Sequence, residues 1–108
     1  MADKALGMIE CFGFTTSIVV ADAVAKAGDV KIVALDRNKP ANADKCAVPL
    51  VMVVKFEGTV AAVKAGLEAG IAAAKARNLY ITSEVISRQA DDTTKMAAIN
   101  ALGRDKLH

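Results

Sequence analysis

One stretch of this chain, Asn38 to Leu50 (NKPANADKCAVPL), holds both of its prolines, Pro40 and Pro49, and one of its two cysteines, Cys46. A thiol binds metal or attacks an electrophile as the thiolate, and Lys45 beside Cys46 favours that form. The prolines fix φ at two points and narrow the freedom of the segment between them, which helps hold a reactive side chain in place. A full ligand set is missing. Iron–sulfur clusters usually take four thiolates. Zinc is a weaker option, since it prefers four nitrogen or sulfur ligands and the region has no histidine. One cysteine per chain makes a metal site only where several chains converge; otherwise Cys46 is a reduced free thiol in a loop.

Catalytic constellations are absent elsewhere. The only histidine is the last residue, His108, so no Ser-His-Asp set can form. No glycine-rich phosphate loop and no cysteine-pair motif occurs. Glu10, Glu57, Glu68 and Glu84 are scattered, and Asp91-Asp92 reads as a helix cap. Cys11, at the end of an apolar run, reads as a small buried apolar residue. These features predict a protein that is not an enzyme.

The elements that must position the loop follow from periodicity. Lys4 to Cys11 reads as a buried strand ending at Gly13. Thr15, Thr16 and Ser17 are candidate helix starts. Ile18, Ala21, Val24 and Ala25 recur at helical spacing, as do Val20 and Ala27, and Gly28 is a candidate C-cap. Asp29 to Arg37 is a second strand and Leu50 to Glu57 a third, buried on both faces at its start. Gly58-Thr59 opens the longest helix, with Val60, Val63, Leu67, Ile71 and Ala74 on one face and Lys75 and Arg77 in the last turn. Leu79 to Ser87 is a fourth strand. Asp91 or Asp92 caps a final short helix with Met96, Ile99 and Asn100.

This order, strand-helix-strand twice, predicts an α+β fold: a four-stranded antiparallel sheet of ferredoxin-like type, built from two βαβ halves, with helices on one face and a short C-terminal helix. The other face needs cover or water. The 108 residues fit one domain, 1–108. More than half are apolar, enough for a core, but the set is mostly Ala and Val with no Trp, so backbones can approach closely. The net charge of +2, with acids and bases interspersed, is no footprint for nucleic acid or an anionic membrane. No apolar run approaches the roughly 20 residues of a membrane span, and MADKALGMIE lacks the hydrophobic run of a signal peptide. Two cysteines are a poor disulfide framework, and a reduced cytosolic compartment is expected.

Three segments carry a resemblance. ALGMIECFGFTTSIVVADAVAKAGDVKIV resembles the opening of bacterial microcompartment shell proteins of the single-domain, hexamer-forming kind, the BMC fold. EGTVAAVKAGLEAGIAAAK resembles that family's second helix, and SEVISRQADD its fourth strand and exit. The likeness runs from about Ala5 to Asp92 and fails in the Asn38–Leu50 loop. It implies a structural protein of the microcompartment shell, in the cytoplasm: a flat cyclic homo-hexamer that tiles edge to edge with other shell proteins. The loop after the second strand would line a pore on the six-fold axis, through Pro40, Ala41, Asn42, Asp44, Lys45, Cys46 and Ala47. Lys26 and Arg88 occupy the places of the family's hexamer–hexamer edge lysine and arginine. Read without the resemblance, each is an ordinary solvated cation.

The loop departs from the family's usual short, glycine-containing turn, for no glycine lies between Asp29 and Glu57. Side chains, not backbone amides, would then set the pore's chemistry. PANADKCAVP looks like the subset of these proteins from glycyl-radical-enzyme microcompartments, whose pore loop holds an iron–sulfur cluster at the axis. That resemblance implies Cys46 as a ligand of a [4Fe–4S] cluster for electron or cluster transfer. A cubane has three-fold symmetry along its body diagonal, so six thiolates cannot all bind it. Alternate subunits bind, or the loops take two conformations, or the assembly is not a strict hexamer; three cysteines with one outside ligand is the preferred version.

Two other functions share the element order. A trimeric nitrogen-regulator-like signalling module also carries a long loop after its second strand, but Lys39 and Lys45 are thin support for phosphate binding. An RNA-recognition domain needs paired aromatics on its central strands, where VKIVALDR and LVMVVKFE supply only Phe56.

Overall fold

A computed structural model describes residues 4–38, 50–89 and 97. The elements are β1 (Ala5–Phe12), α1 (Phe14–Ala27), β2 (Lys31–Asn38), β3 (Val51–Gly58), α2 (Val60–Ala76) and β4 (Tyr80–Ile86). They form one antiparallel sheet in the order β2-β3-β1-β4, so each helix carries the chain over an intervening strand. This is the split βαβ arrangement expected from the sequence, with α1 and α2 on one face. The final short helix falls outside the described residues, apart from Ala97, which is helical and buried.

Alternation in the central strands sends one set of side chains to the helices. Ile9, Cys11, Met52, Val54 and Phe56 lie on that side with Val20 and Val24 of α1 and Val63 and Ala74 of α2, and all of them are fully buried. Gly7 lies beside Phe56 because a Cβ there would strike the Phe56 ring. Gly66 and Gly70 of α2 face Val20 and Val24 of α1, and a methyl on Gly70 would come within 2.5 Å of the Ile9 side chain and 2.6 Å of Val24. The helices therefore pack tightly on the sheet and on each other, as the Ala- and Val-rich composition anticipates.

The entry to α1 differs from the sequence-based expectation. Thr15, Thr16 and Ser17 do not cap it. Gly13 is the N-cap residue, with φ 91°, and no side chain caps this end. That left-handed conformation, natural only for glycine, turns the chain directly from β1 into the helix, and the Gly13 N–H donates to the Leu50 carbonyl at 2.7 Å. Thr16 and Ser17 are buried inside the helix; the Ser17 hydroxyl donates to the Phe14 carbonyl, and the Arg77 Nε donates to Thr16 Oγ1 at 3.2 Å. The buried face is rotated accordingly to Thr16, Ser17, Val20 and Val24, and Ile18, expected in the core, is 46 % exposed.

The expected opening of α2 at Gly58-Thr59 is close: Thr59 is the N-cap, its hydroxyl accepting from the Ala62 N–H at 3.1 Å, while Gly58 belongs to β3 and Val60 is exposed. Arg77 is the C-cap residue, not part of the last turn, and Asn78 with φ 59° makes the tight turn into β4. Gly28 does end α1, but in extended conformation (φ −135°), so left-handed geometry is not why glycine stands there. A side chain at Gly28 would collide with the backbone carbonyl of Ala62.

On the sheet face away from the helices, the chain after β4 returns to the start of β1. The Gln89 N–H donates to the Lys4 carbonyl at 3.0 Å, and its side-chain amide donates to Glu57 Oε2 at 3.2 Å. Lys4 Nζ lies 3.4 Å from the other Glu57 oxygen. Glu57 and Gln89 are both buried, and each finds partners in the other and in Lys4.

Because a backbone oxygen cannot yield as a side chain can, Gly28→Ala is expected to destabilise the fold by about 1–3 kcal/mol. Chemical denaturation with an unchanged slope and a lower midpoint checks this; an unchanged midpoint would show that α1 and α2 can separate freely at this crossing.

Candidate functional site

The two ends of the sheet differ in what they carry. At one end β2 finishes at Asn38, directly opposite Val51, where β3 begins. The segment between them must leave and return at this one place. Phe12 also pairs with Val51, and its N–H donates to the Leu79 carbonyl at 2.9 Å. The start of α1, the end of α2 and the roots of the Asn38–Leu50 loop are thereby tied together. Pro40, Ala41, Asn42, Asp44, Lys45, Cys46 and Ala47 themselves lie outside the described residues.

At the opposite end Leu6 pairs with both Glu57 and Ile86, and Lys31 pairs with Glu57. The end of α1, carrying Lys26, and the exit of β4, carrying Arg88, therefore share this end. Eight-residue strands separate the two ends by about 25 Å. Lys26 is exposed in the last turn of α1 and pairs with Asp22 one turn earlier at 2.7 Å. Such a surface i,i+4 pair contributes little, so Lys26 stays available to another contact. Arg88 is exposed and follows directly from β4, next to the anchored Gln89.

Cys11 is no second thiol for the loop. It sits opposite Met52 in the core, fully buried, and burial pushes its thiol from 9.0 up to about 11. It is the small buried apolar residue expected from the sequence. Among the described residues no group of three or more His, Cys, Asp or Glu side chains could hold a metal ion.

Sequence reasoning missed a cavity of about 370 Å³ on the sheet face away from α1 and α2, lined among the described residues by Met8, Glu10, Val53, Lys55, Thr82, Ser83 and Glu84. Its signal was present as the alternation Met8-x-Glu10, Val53-x-Lys55 and Thr82-x-Glu84 in three different strands, but only the register brings these pairs together. Lys55 is already paired with Asp36 at 3.4 Å.

A family model described as the BMC domain matches residues 5–89. The chain is 36% identical over 96 residues to the bacterial microcompartment shell protein PduA of Citrobacter freundii, covering 89% of this chain and 94% of that protein. It is 32% identical over 88 residues to the shell protein PduK of the same organism and 37% identical over 90 residues to the shell protein EutK of Escherichia coli. Those alignments cover 82% and 83% of this chain, which spans about half the length of those two relatives (51% and 49%). Among solved structures, a microcompartment protein from Desulfitobacterium hafniense superposes with a TM-score of 0.69 at 24% identity, covering 94% of this chain and 51% of that one. At that identity the likeness speaks for the fold.

The Cys11 thiol favours the folded state only while protonated. Its contribution is complete below pH 9.0 and is lost as pH rises toward about 11. In a Cys46→Ser variant at about pH 8, a thiol reagent is expected to modify nothing in the folded protein and one thiol per chain after unfolding; rapid labelling of the native protein would place Cys11 outside a closed core.

Proposed function

The chain belongs to the BMC-domain family of bacterial microcompartment shell proteins, and from that premise we propose that it is a non-catalytic wall component of such a compartment in the bacterial cytoplasm. It assembles as a flat cyclic homo-hexamer that tiles edge to edge with itself and with other shell proteins. The observation that carries this reading is the placement of the two candidate regions at opposite ends of one sheet. With the Asn38–Leu50 loop turned toward a six-fold axis, Lys26 and Arg88 lie at the outer rim, where a neighbouring disc would meet them. The body's extents of 40 × 35 × 17 Å suit a thin tile. Each rim contact can be weak, because a disc repeats it around its circumference and avidity does the assembling.

We further propose that the loop lines the pore with side chains, Asn42, Asp44, Lys45 and Cys46 among them, and that Cys46 thiolates from several subunits hold a [4Fe–4S] cluster on the axis. Two observations support this reading. Cys11 is locked in the core, so one chain offers a single thiol to the loop. Among the described residues no group of His, Cys, Asp or Glu side chains competes for the metal, and this reading takes the remaining ligands from symmetry copies of the loop. Three cysteines with a fourth, outside ligand suit the symmetry of a cubane. When bound, the cluster supplies one-electron chemistry at the shell; the chain's own part is to hold thiolates at the axis, with Pro40 and Pro49 restricting the loop.

Lys26→Ala is expected to leave hexamers intact by analytical ultracentrifugation and to reduce the formation of sheets or tubes seen by electron microscopy. Sheets forming as readily as in the wild type would remove Lys26 from the rim. Anaerobic reconstitution with iron and sulfide should give a brown protein, and Cys46→Ser should stay colourless; equal colour in both would end the cluster assignment while leaving the shell role standing.

A further inference from the structure

We infer that the cavity on the sheet face away from α1 and α2 is a binding site for small aliphatic ammonium ions, with the charge held between Glu10 and Glu84 and the carbon chain lying over Met8 and Val53. The register places these four side chains on one patch. Glu10 stands opposite Val53 on one side and Thr82 on the other, and Met8 stands opposite Lys55 and Glu84. Glu10 and Glu84 are thus diagonal neighbours on adjacent strands, about 7–8 Å apart at Cα, with the Met8 side chain beside both. An ammonium group between them can meet two carboxylates at once.

The charge balance of the patch selects the sign of the ligand. Lys55, the one cation lining the cavity among the described residues, is paired with Asp36 and buried more deeply than that partner. Glu10 and Glu84 make no hydrogen bond or ion pair with any described residue. Two carboxylates are therefore left uncompensated around an apolar floor, and the Thr82 hydroxyl adds a further acceptor at the rim. An anion would meet repulsion from both glutamates, and a neutral alcohol would gain only the floor. The volume of about 370 Å³ lies at the small end of ligand pockets, which favours a short-chain amine over a folded peptide segment. None of the loop or rim residues of the shell reading enters this argument, so it does not rest on that reading.

The test uses the full chain labelled at methionine methyl groups, a probe that tolerates a large assembly. Met8 lines the cavity, and Met52, buried on the opposite face of the sheet, serves as an internal control. Titration with n-butylammonium should shift the Met8 methyl in a saturable way and leave Met52 unmoved, while n-butanol and butyrate should act only weakly. In the double variant Glu10→Gln, Glu84→Gln binding should weaken about tenfold or more, the loss of charge-assisted hydrogen bonds, with the Met52 signal reporting an intact fold. Equal response to n-butanol and n-butylammonium, an unchanged affinity in the folded double variant, or no saturable Met8 shift in the wild type would each overturn the proposal.

Discussion

The close crossing of α1 and α2 is the constraint on which the rest of the molecule depends. Gly28 lies against the Ala62 carbonyl, and Gly66 and Gly70 lie against Val24 and Val20, so side chains at these three positions would drive the helices apart or off the sheet. With them absent, both helices sit low on the same face, and Phe56, Ile9 and Val63 fill the space beneath. A small-residue core of this kind has few large side chains to deform, and dense packing makes each methylene count. Its product is a thin body with one covered face and one open face.

That geometry distributes the chemistry of the chain along the sheet. The roots of the proline-containing loop are pinned by Gly13, Leu50, Phe12 and Leu79 at one end. Lys26 and Arg88 stand at the other. Between them, the open face carries Met8, Glu10, Lys55 and Glu84 in alternation with residues that belong to the core. Substitutions more than about 7–10 Å apart without shared partners act independently, so the rim can change without disturbing the roots of the loop.

Much of this was legible in the residues. Alternating and helical periodicities gave the six elements in order, because their apolar stripes are long and few residues contradict them. The start of α2 near Thr59 and the core position of Cys11 were readable for the same local reasons. The entry of α1 was not: three hydroxyl residues in a row look like caps, and nothing local says that Gly13 takes the turn instead and sends Thr16 and Ser17 inward. Ile18 was misplaced with it, since moving a helix start rotates the buried face. The acidic patch was invisible for a different reason. Glu10 and Glu84 are far apart in the chain and become neighbours only through strand register, which depends on tertiary pairing.

The small polar knot of Lys4, Glu57 and Gln89 has an architectural consequence. It stitches Gln89, just after β4, to Lys4, just before β1, so the two ends of the six-element body lie side by side. A covalent link between residues 4 and 89 would close the sheet and its two helices into a ring with little detour.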